Sequence, residues 1–169
     1  CHTSTISLLM GQRKRWRVRM DRRPFIVGMG GTTRPNSSSE RALRACLGAV
    51  ERLGARTQIF AADALDYAED LRDDPRPYFD ARAIGCIVCA YGPQAMGTTL
   101  MSMRSIIHAL RGWPTPMGVG VNSANVTFDM DGRCSAPDVQ AQIDMLAGQI
   151  MTFANMLGAA SSHHALAAK

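Results

Sequence analysis

Short apolar runs alternate along the chain with longer segments whose apolar residues recur every three or four positions. The runs predict buried strands at 25–29, 57–60, 84–90 and 117–121. The longer segments predict helices over 37–54, 100–110 and 137–157, with a brief helix over 65–71, because such spacing places apolar residues on one helix face. Strands that are apolar on both faces and alternate with helices predict an α/β domain with a parallel sheet covered on both sides.

Length and composition fit one globular domain. The chain has 169 residues, of which 46% are apolar and 20% charged. No stretch approaches the ~20 consecutive apolar residues of a membrane span. Although the net charge is +5, residues 1–24 hold seven basic residues and one acidic residue, so the remainder is close to neutral. A neutral body lacks the basic face of a nucleic-acid-binding protein, so we expect neither nucleic acid nor a membrane as a partner.

The basic N-terminal segment and the C-terminal end are set apart from this domain. We expect residues 1–23 to be a basic extension, either disordered or translated from upstream of a native start at Met20. The alternative is a polybasic arm for nucleic acid or anionic lipid. Residues 24–157 are expected to form the domain, and 158–169 a flexible tail.

The five cysteines do not form a disulfide framework. Cys86 and Cys89 have CxxC spacing, but they lie in a predicted strand, where positions three apart point to opposite faces. No second CxxC and no histidine pair completes a zinc site. We therefore expect buried thiols, no metal, and the reducing cytoplasm as the compartment.

The loop after the first predicted strand carries the strongest candidate chemistry. Residues 30–39 read Gly-Gly-Thr-Thr-Arg-Pro-Asn-Ser-Ser-Ser, and Ser37 stands three residues before Glu40, the spacing of a capping box. Hydroxyls, glycine-rich backbone, the Arg34 guanidinium and a helix N-terminus all favour a phosphate dianion. The loop is neither a P-loop nor a complete dinucleotide fingerprint. The alternative is a polar turn that only caps the helix.

This loop also resembles that of a known family. Gly31-Thr32-x-Arg34-x-x-Ser37 is similar to the G-S-x-R-x-x-S loop of the NADPH-dependent FMN reductases, which have the flavodoxin-like fold. The resemblance continues through residues 64–71, and again from Tyr91-Gly-x-Gln94 through 108–116, in the same order along the chain.

The resemblance implies a flavodoxin-like three-layer sandwich that transfers hydride from NADPH to bound FMN and forms a homo-oligomer. The implied phosphate-binding residues are Gly31, Thr32, Thr33, Arg34, Asn36, Ser37, Ser38 and Ser39. The residues implied to lie beside the isoalloxazine ring are Tyr91, Gly92 and Gln94. Because the hydride would pass between cofactors, no catalytic side chain is expected.

One part of the family pattern is missing. The family carries a loop like S-P-x-Y-H-G-S-x-S-G-x-x-K-N after its third strand, whereas here Phe60-Ala-Ala-Asp63 runs straight into Ala64-Leu65-Asp66. The missing helix, strand and loop amount to about 40 to 50 residues. That strand is central in the order 2-1-3-4-5.

We therefore expect a short sheet of four strands in the order 2-1-3-4, with strand 25–29 beside strand 84–90 and a narrowed crevice. Flavin reduction is expected to be impaired. Two alternatives remain open: a phosphate- or nucleotide-binding module without redox activity, and a non-functional shortened homologue.

Overall fold

The computed structural model describes residues 23–32, 34, 36–60, 78–129 and 132–167, with side chains up to residue 159. Strands and helices alternate in these residues: β1 (Phe25–Met29), α1 (Ser38–Arg52), β2 (Arg56–Phe60), β3 (Ala83–Ala90), α2 (Pro93–Ala109), β4 (Trp113–Asn122) and α3 (Pro137–Ala167). The predicted α/β class with parallel strands is confirmed. The extension 1–22 and the helix predicted over 65–71 lie outside the described residues.

Helix α1 begins and ends as its sequence predicts. The Ser37 hydroxyl accepts the Glu40 N–H at 3.3 Å, and the Glu40 carboxylate accepts the N–H of Asn36 at 3.0 Å. At the other end, Gly54 has φ +93° and its N–H donates to Glu51 O at 2.9 Å. Both signals act within one turn of chain, so sequence alone is enough to place them.

The described strands form two separate parallel pairs. β1 pairs with β2 from Phe25↔Arg56 to Met29↔Phe60, and β3 pairs with β4. No hydrogen-bonded ladder joins β1 to β3 in the described part of the chain. The prediction that these two strands are neighbours in a continuous sheet of order 2-1-3-4 is therefore wrong.

The helices connect the two strand pairs. α1 and α3 contact each other, α1 contacts β1, β2 and β3, and α3 contacts β3 and β4. α2 covers the opposite face of β3 and β4, where Gly118 and Gly120 lie against it, while Val119 and Val121 are buried in the core shared with α3.

Glycines let a helix pack closely on each strand pair. A Cβ built on Gly28 of β1 would lie 2.8 Å from Leu47 Cδ1 of α1, so α1 sits directly on β1. A Cβ on Gly85 of β3 would lie 2.8 Å from Leu146 Cδ1 of α3, so α3 sits equally close to β3.

Strand β4 begins four residues before the predicted run 117–121. Its early part contains Pro114 and Pro116, which are tolerated because β4 is the outer strand of its pair. The register with β3 is irregular there. The N–H of Met117 instead donates to the Gln149 side-chain oxygen of α3 at 2.8 Å.

Helix α3 runs to Ala167, through most of the segment that the sequence predicts as a flexible tail. Its buried residues Val139, Ile143, Leu146 and Ile150 form the predicted apolar stripe against α1, β3 and β4. No helix in the described part of the chain has both the length and the hydrophobicity needed to cross a membrane.

Candidate functional site

The loops that follow β1, β3 and β4 lie at one edge of the molecule. Arg41, in the first turn of α1, donates from Nε to Asn36 O and from Nη1 to Phe128 O, each at 3.0 Å. This joins the loop after β1 to the loop after β4. The N–H of Ser123 donates to Ala90 O at 2.9 Å and joins the ends of β4 and β3. In doubly wound α/β folds, ligands bind at this carboxyl edge.

The loop between β1 and α1 is held in a tight, left-handed course. Gly30 and Gly31 have φ values of +145° and +109°, and Asn36 has φ +56°. The hydroxyl of Thr32 accepts the N–H of Arg34 at 3.2 Å, which closes a small turn between them. Gly31 lies close to the first turn of α1, since a Cβ built on it would be 3.7 Å from Glu40 Cβ. Thr33 lies outside the described residues.

Several hydrogen-bond donors at this helix N-terminus have no acceptor among the described residues. The first intrahelical bond runs from Arg41 N–H to Ser37 O, and the Glu40 N–H is capped by Ser37. The backbone N–H groups of Ser38 and Ser39 have no hydrogen-bond acceptor among the described residues, as is usual in the first turn of a helix. The Ser37 and Ser39 hydroxyls lie 3.2 Å apart. Helix N-termini with such donors are suited to anions.

Arginines give this end of α1 a positive charge despite a buried carboxylate. Glu40 is 7% exposed, and Arg44 donates to its Oε1 from Nε at 3.0 Å and from Nη2 at 2.7 Å. The Arg44 hydrogen bond, followed by the bond from the Asn36 N–H, lowers the pKa of Glu40. Arg44 thus neutralises Glu40. Arg34 is exposed, and its guanidinium makes no hydrogen bond or ion pair within the described residues.

The second predicted group of site residues lies at the same edge, on the loop after β3. Tyr91 is 82% exposed, and Gln94 is exposed in the first turn of α2. Gly92 is the N-cap of α2 and has no side chain to cap it, and Pro93 follows at the first helical position. No hydrogen bond links this loop to the loop of residues 30–37 in the described part of the chain. The two predicted groups of site residues therefore lie at the same edge, and no hydrogen bond between described residues joins them.

One face of β1 is exposed. Phe25 is 50%, Val27 42% and Met29 61% exposed, whereas Gly28 on the other face lies under α1. The prediction that a β1–β3 junction narrows the crevice is wrong, since no ladder joins these strands in the described part of the chain.

The cysteines in the described part of the chain are shielded from solvent to different degrees. Cys46 and Cys86 are buried, and Cys89 and Cys134 are half-buried. Burial raises the pKa of Cys46 and of Cys89 to about 11, which keeps both thiols protonated and unreactive. Within the described residues, no three histidine, cysteine or acidic side chains cluster as metal ligands would.

Three residues at the site were not singled out from the sequence: Glu40 as a charge partner, Arg41 and Arg44. The four-residue spacing of Glu40 and Arg44 is a recognisable helix ion pair, so this contact was open to prediction. The bond from Arg41 to Phe128 was not, because it joins residues 87 positions apart.

A solved structure that resembles this chain is an oxidoreductase from Corynebacterium diphtheriae. The TM-score is 0.51 at 12% sequence identity, and the likeness covers 80% of this chain and 98% of that one. This chain has a small flavodoxin-like α/β fold. At this identity the likeness shows the fold and nothing about the ligand. No protein-family model and no curated protein matches the chain.

Proposed function

We propose that this protein binds FMN at the carboxyl edge of its strands and holds the FMN phosphate in the loop of residues 30–39. The observation that carries the proposal is that the N–H groups of Ser38 and Ser39 and the guanidinium of Arg34 make no hydrogen bond within the described residues, at the start of one helix. A phosphate dianion accepts from backbone N–H groups at a helix N-terminus, where the helix dipole also favours negative charge.

The charges near the loop support an anion rather than a neutral ligand. Glu40 is paired with Arg44, so its carboxylate does not repel a phosphate as a free carboxylate would. Arg34 and Arg41 then remain as positive groups close to the helix N-terminus. An arginine fork also matches the geometry of two phosphate oxygens.

The fit of the flavin ring is weaker than the fit of its phosphate. Tyr91 offers an exposed aromatic face, and Gly92 and Gln94 offer backbone and amide groups at the same edge. The family's second ring-contacting loop has no counterpart in the sequence. The resemblance to the FMN reductases and the oxidoreductase of similar fold support a redox role in which NADPH is the reductant. Bound FMN would accept the hydride, and the chain would hold the nucleotide in place. By the same resemblance, we propose a homo-oligomer.

A second candidate is a module that binds a phosphate or a nucleotide without redox chemistry. It is favoured by the contrast between the two groups: Asn36 and Ser37 of the phosphate loop are held by capping bonds with Glu40, whereas Tyr91 is 82% exposed. Such a module would not orient the flavin ring towards a nicotinamide. Hydride transfer would then be slow, because a misplacement of about 1 Å costs on the order of a hundredfold in rate.

Titrations with three ligands separate these functions. Flavin fluorescence would follow FMN and riboflavin, and calorimetry would follow inorganic phosphate. A flavin-binding oxidoreductase binds FMN more tightly than riboflavin, binds phosphate weakly, and oxidises NADPH when FMN is present. A phosphate module binds FMN no more tightly than a simple phosphate monoester and does not oxidise NADPH. Absence of binding to all three ligands would refute both.

A further inference from the structure

A single side chain connects the proposed phosphate loop to a distant hairpin. The guanidinium of Arg41 donates to Asn36 O through Nε and to Phe128 O through Nη1, both at 3.0 Å. Asn36 is the last residue before the N-cap of α1, and Phe128 pairs with Cys134 in an antiparallel bridge. The described residues on either side of this bridge, 128–129 and 132–134, are called the hairpin below. Arg41 therefore fixes the positions of two backbone carbonyls that belong to separate loops.

The hairpin is held in place by burial of Phe128 and by its own hydrogen bonds. Phe128 is 4% exposed and belongs to the hydrophobic core. The Asp129 N–H donates to Arg133 O at 3.0 Å, and the Arg133 N–H donates to the Asp129 carboxylate at 2.8 Å. A Cβ built on Gly132 would lie 3.7 Å from the Cα of Ala45, so the hairpin also rests against α1.

The bond to Asn36 O determines where the following N–H group points. In a trans peptide the C=O and the N–H of the next residue point in opposite directions. Because Asn36 O faces Arg41, the N–H of Ser37 faces away from Arg41. No acceptor for this N–H lies within the described residues. A rotation of the Asn36–Ser37 peptide would turn that donor away from any anion bound there.

We propose that Arg41 is a positioning residue for the phosphate site, which rests on the proposed function. It holds the Asn36–Ser37 peptide so that the Ser37 N–H joins those of Ser38 and Ser39 as a donor to phosphate. Through its second bond, to Phe128 O, Arg41 also ties this peptide to the hairpin. Its role depends on two donors in one plane, which arginine has and lysine lacks.

The test compares Arg41→Met with Arg52→Met in the full chain. Both variants remove one positive charge from α1, but Arg52 lies in the last turn and pairs at 3.4 Å with Asp144. Amide hydrogen exchange is measured without ligand. In Arg41→Met we expect exchange at least about fivefold faster at the Asn36 and Glu40 N–H groups and at the hydrogen-bonded N–H groups of the hairpin, Asp129, Gly132 and Arg133. Exchange in β4 should not change, and Arg52→Met should match the wild type at the loop and the hairpin.

Affinity for FMN is measured for the same variants at low salt and at about 0.5 M NaCl, where exposed charges are strongly screened. Arg41→Met is expected to bind FMN about tenfold more weakly than wild type at both salt concentrations, since misplaced donors are not restored by salt. A loss that disappears at high salt would show that Arg41 acts only by its charge and would overturn the proposal. Unchanged exchange at either the loop or the hairpin, or equally faster exchange in β4, would also overturn it.

Arg41→Lys provides the conservative variant. It retains the charge and most of the length but not the planar fork, so exchange and FMN affinity should stay close to those of Arg41→Met. Full recovery by lysine would contradict a positioning role. If the wild-type chain binds neither FMN nor phosphate, the proposed function fails, and the positioning role with it. The exchange data then still decide whether Arg41 couples the loop to the hairpin.

Discussion

Gly28 of β1 lies directly beneath Leu47 of α1, where a Cβ would approach Leu47 Cδ1 to 2.8 Å and Leu43 Cδ1 to 3.1 Å. This contact sets the height of α1 above β1, and with it the position of the helix N-terminus at the candidate site. Leu47 is 8% exposed and packed into the core, so its side chain has little room to move.

Gly28→Ala should therefore lower the free energy of unfolding by about 1 to 3 kcal/mol, the usual cost of overpacking a core. Urea denaturation measures this directly. The control is Gly97→Ala in α2, where nothing lies within 4 Å of the added Cβ. That change should stabilise the protein by about 0.5 to 1 kcal/mol, because alanine is the better helix former. Equal effects of the two substitutions would contradict the close contact.

Arg34→Ala should weaken FMN binding by about 1.5 to 3 kcal/mol, the worth of a hydrogen bond to a charged group. Riboflavin, which lacks the phosphate, should bind wild type and variant nearly equally. Arg52→Ala removes the same charge at the far end of α1 and should leave both affinities unchanged. Fluorescence titration checks all three proteins. An equal loss for FMN and riboflavin would place Arg34 away from the phosphate.

Glu40 should make the stability of the protein depend on pH in the acidic range. Its folded-state pKa is lowered from 4.5, so the ionised carboxylate stabilises the fold above about pH 4.5. This stabilisation is lost as the pH falls from 4.5 through the lower folded-state pKa. Melting temperatures of wild type and Glu40→Gln, measured from about pH 7 to about pH 3, should therefore converge towards acid. A difference that stays constant over this range would show that the Glu40 charge does not contribute.

Asn36 should tolerate glycine better than alanine. Its φ of +56° lies in the left-handed region, which costs most residues with a Cβ about 1 kcal/mol and costs glycine nothing. Both backbone groups of Asn36 remain bonded in either variant, the N–H to Glu40 and the C=O to Arg41. Asn36→Ala should be about 1 kcal/mol less stable than Asn36→Gly in urea denaturation. Equal stability would mean that the loop does not hold this conformation in solution.

The sequence predicts what short stretches of chain decide. The cap of α1 by Ser37, the glycine end at Gly54 and the apolar stripe of α3 depend on residues a few positions apart. The hydrogen-bond donors of the loop 30–39 can likewise be predicted from the sequence. The structure places Ser37 at the N-terminus of α1, as the capping-box spacing indicates.

The order of the strands could not be predicted in the same way. Whether β1 meets β3 depends on tertiary contacts between α1 and α3, which join residues far apart in the chain, such as Arg52 and Asp144, 92 positions apart. The role of Arg41 depends on Phe128, 87 positions further along the chain, and no local sequence pattern indicates that contact. β4 begins early because an outer strand tolerates Pro114 and Pro116, which in the sequence indicate a break.

The central claim is that a phosphate group binds the backbone donors at the start of α1. The most direct measurement is an amide NMR titration of the full chain with FMN, followed by inorganic phosphate and by riboflavin. The N–H resonances of Ser37, Ser38 and Ser39 should shift and saturate with FMN and with phosphate, and should hardly move with riboflavin. Saturable FMN binding that leaves these three resonances in place, or no binding of FMN at all, would contradict the account.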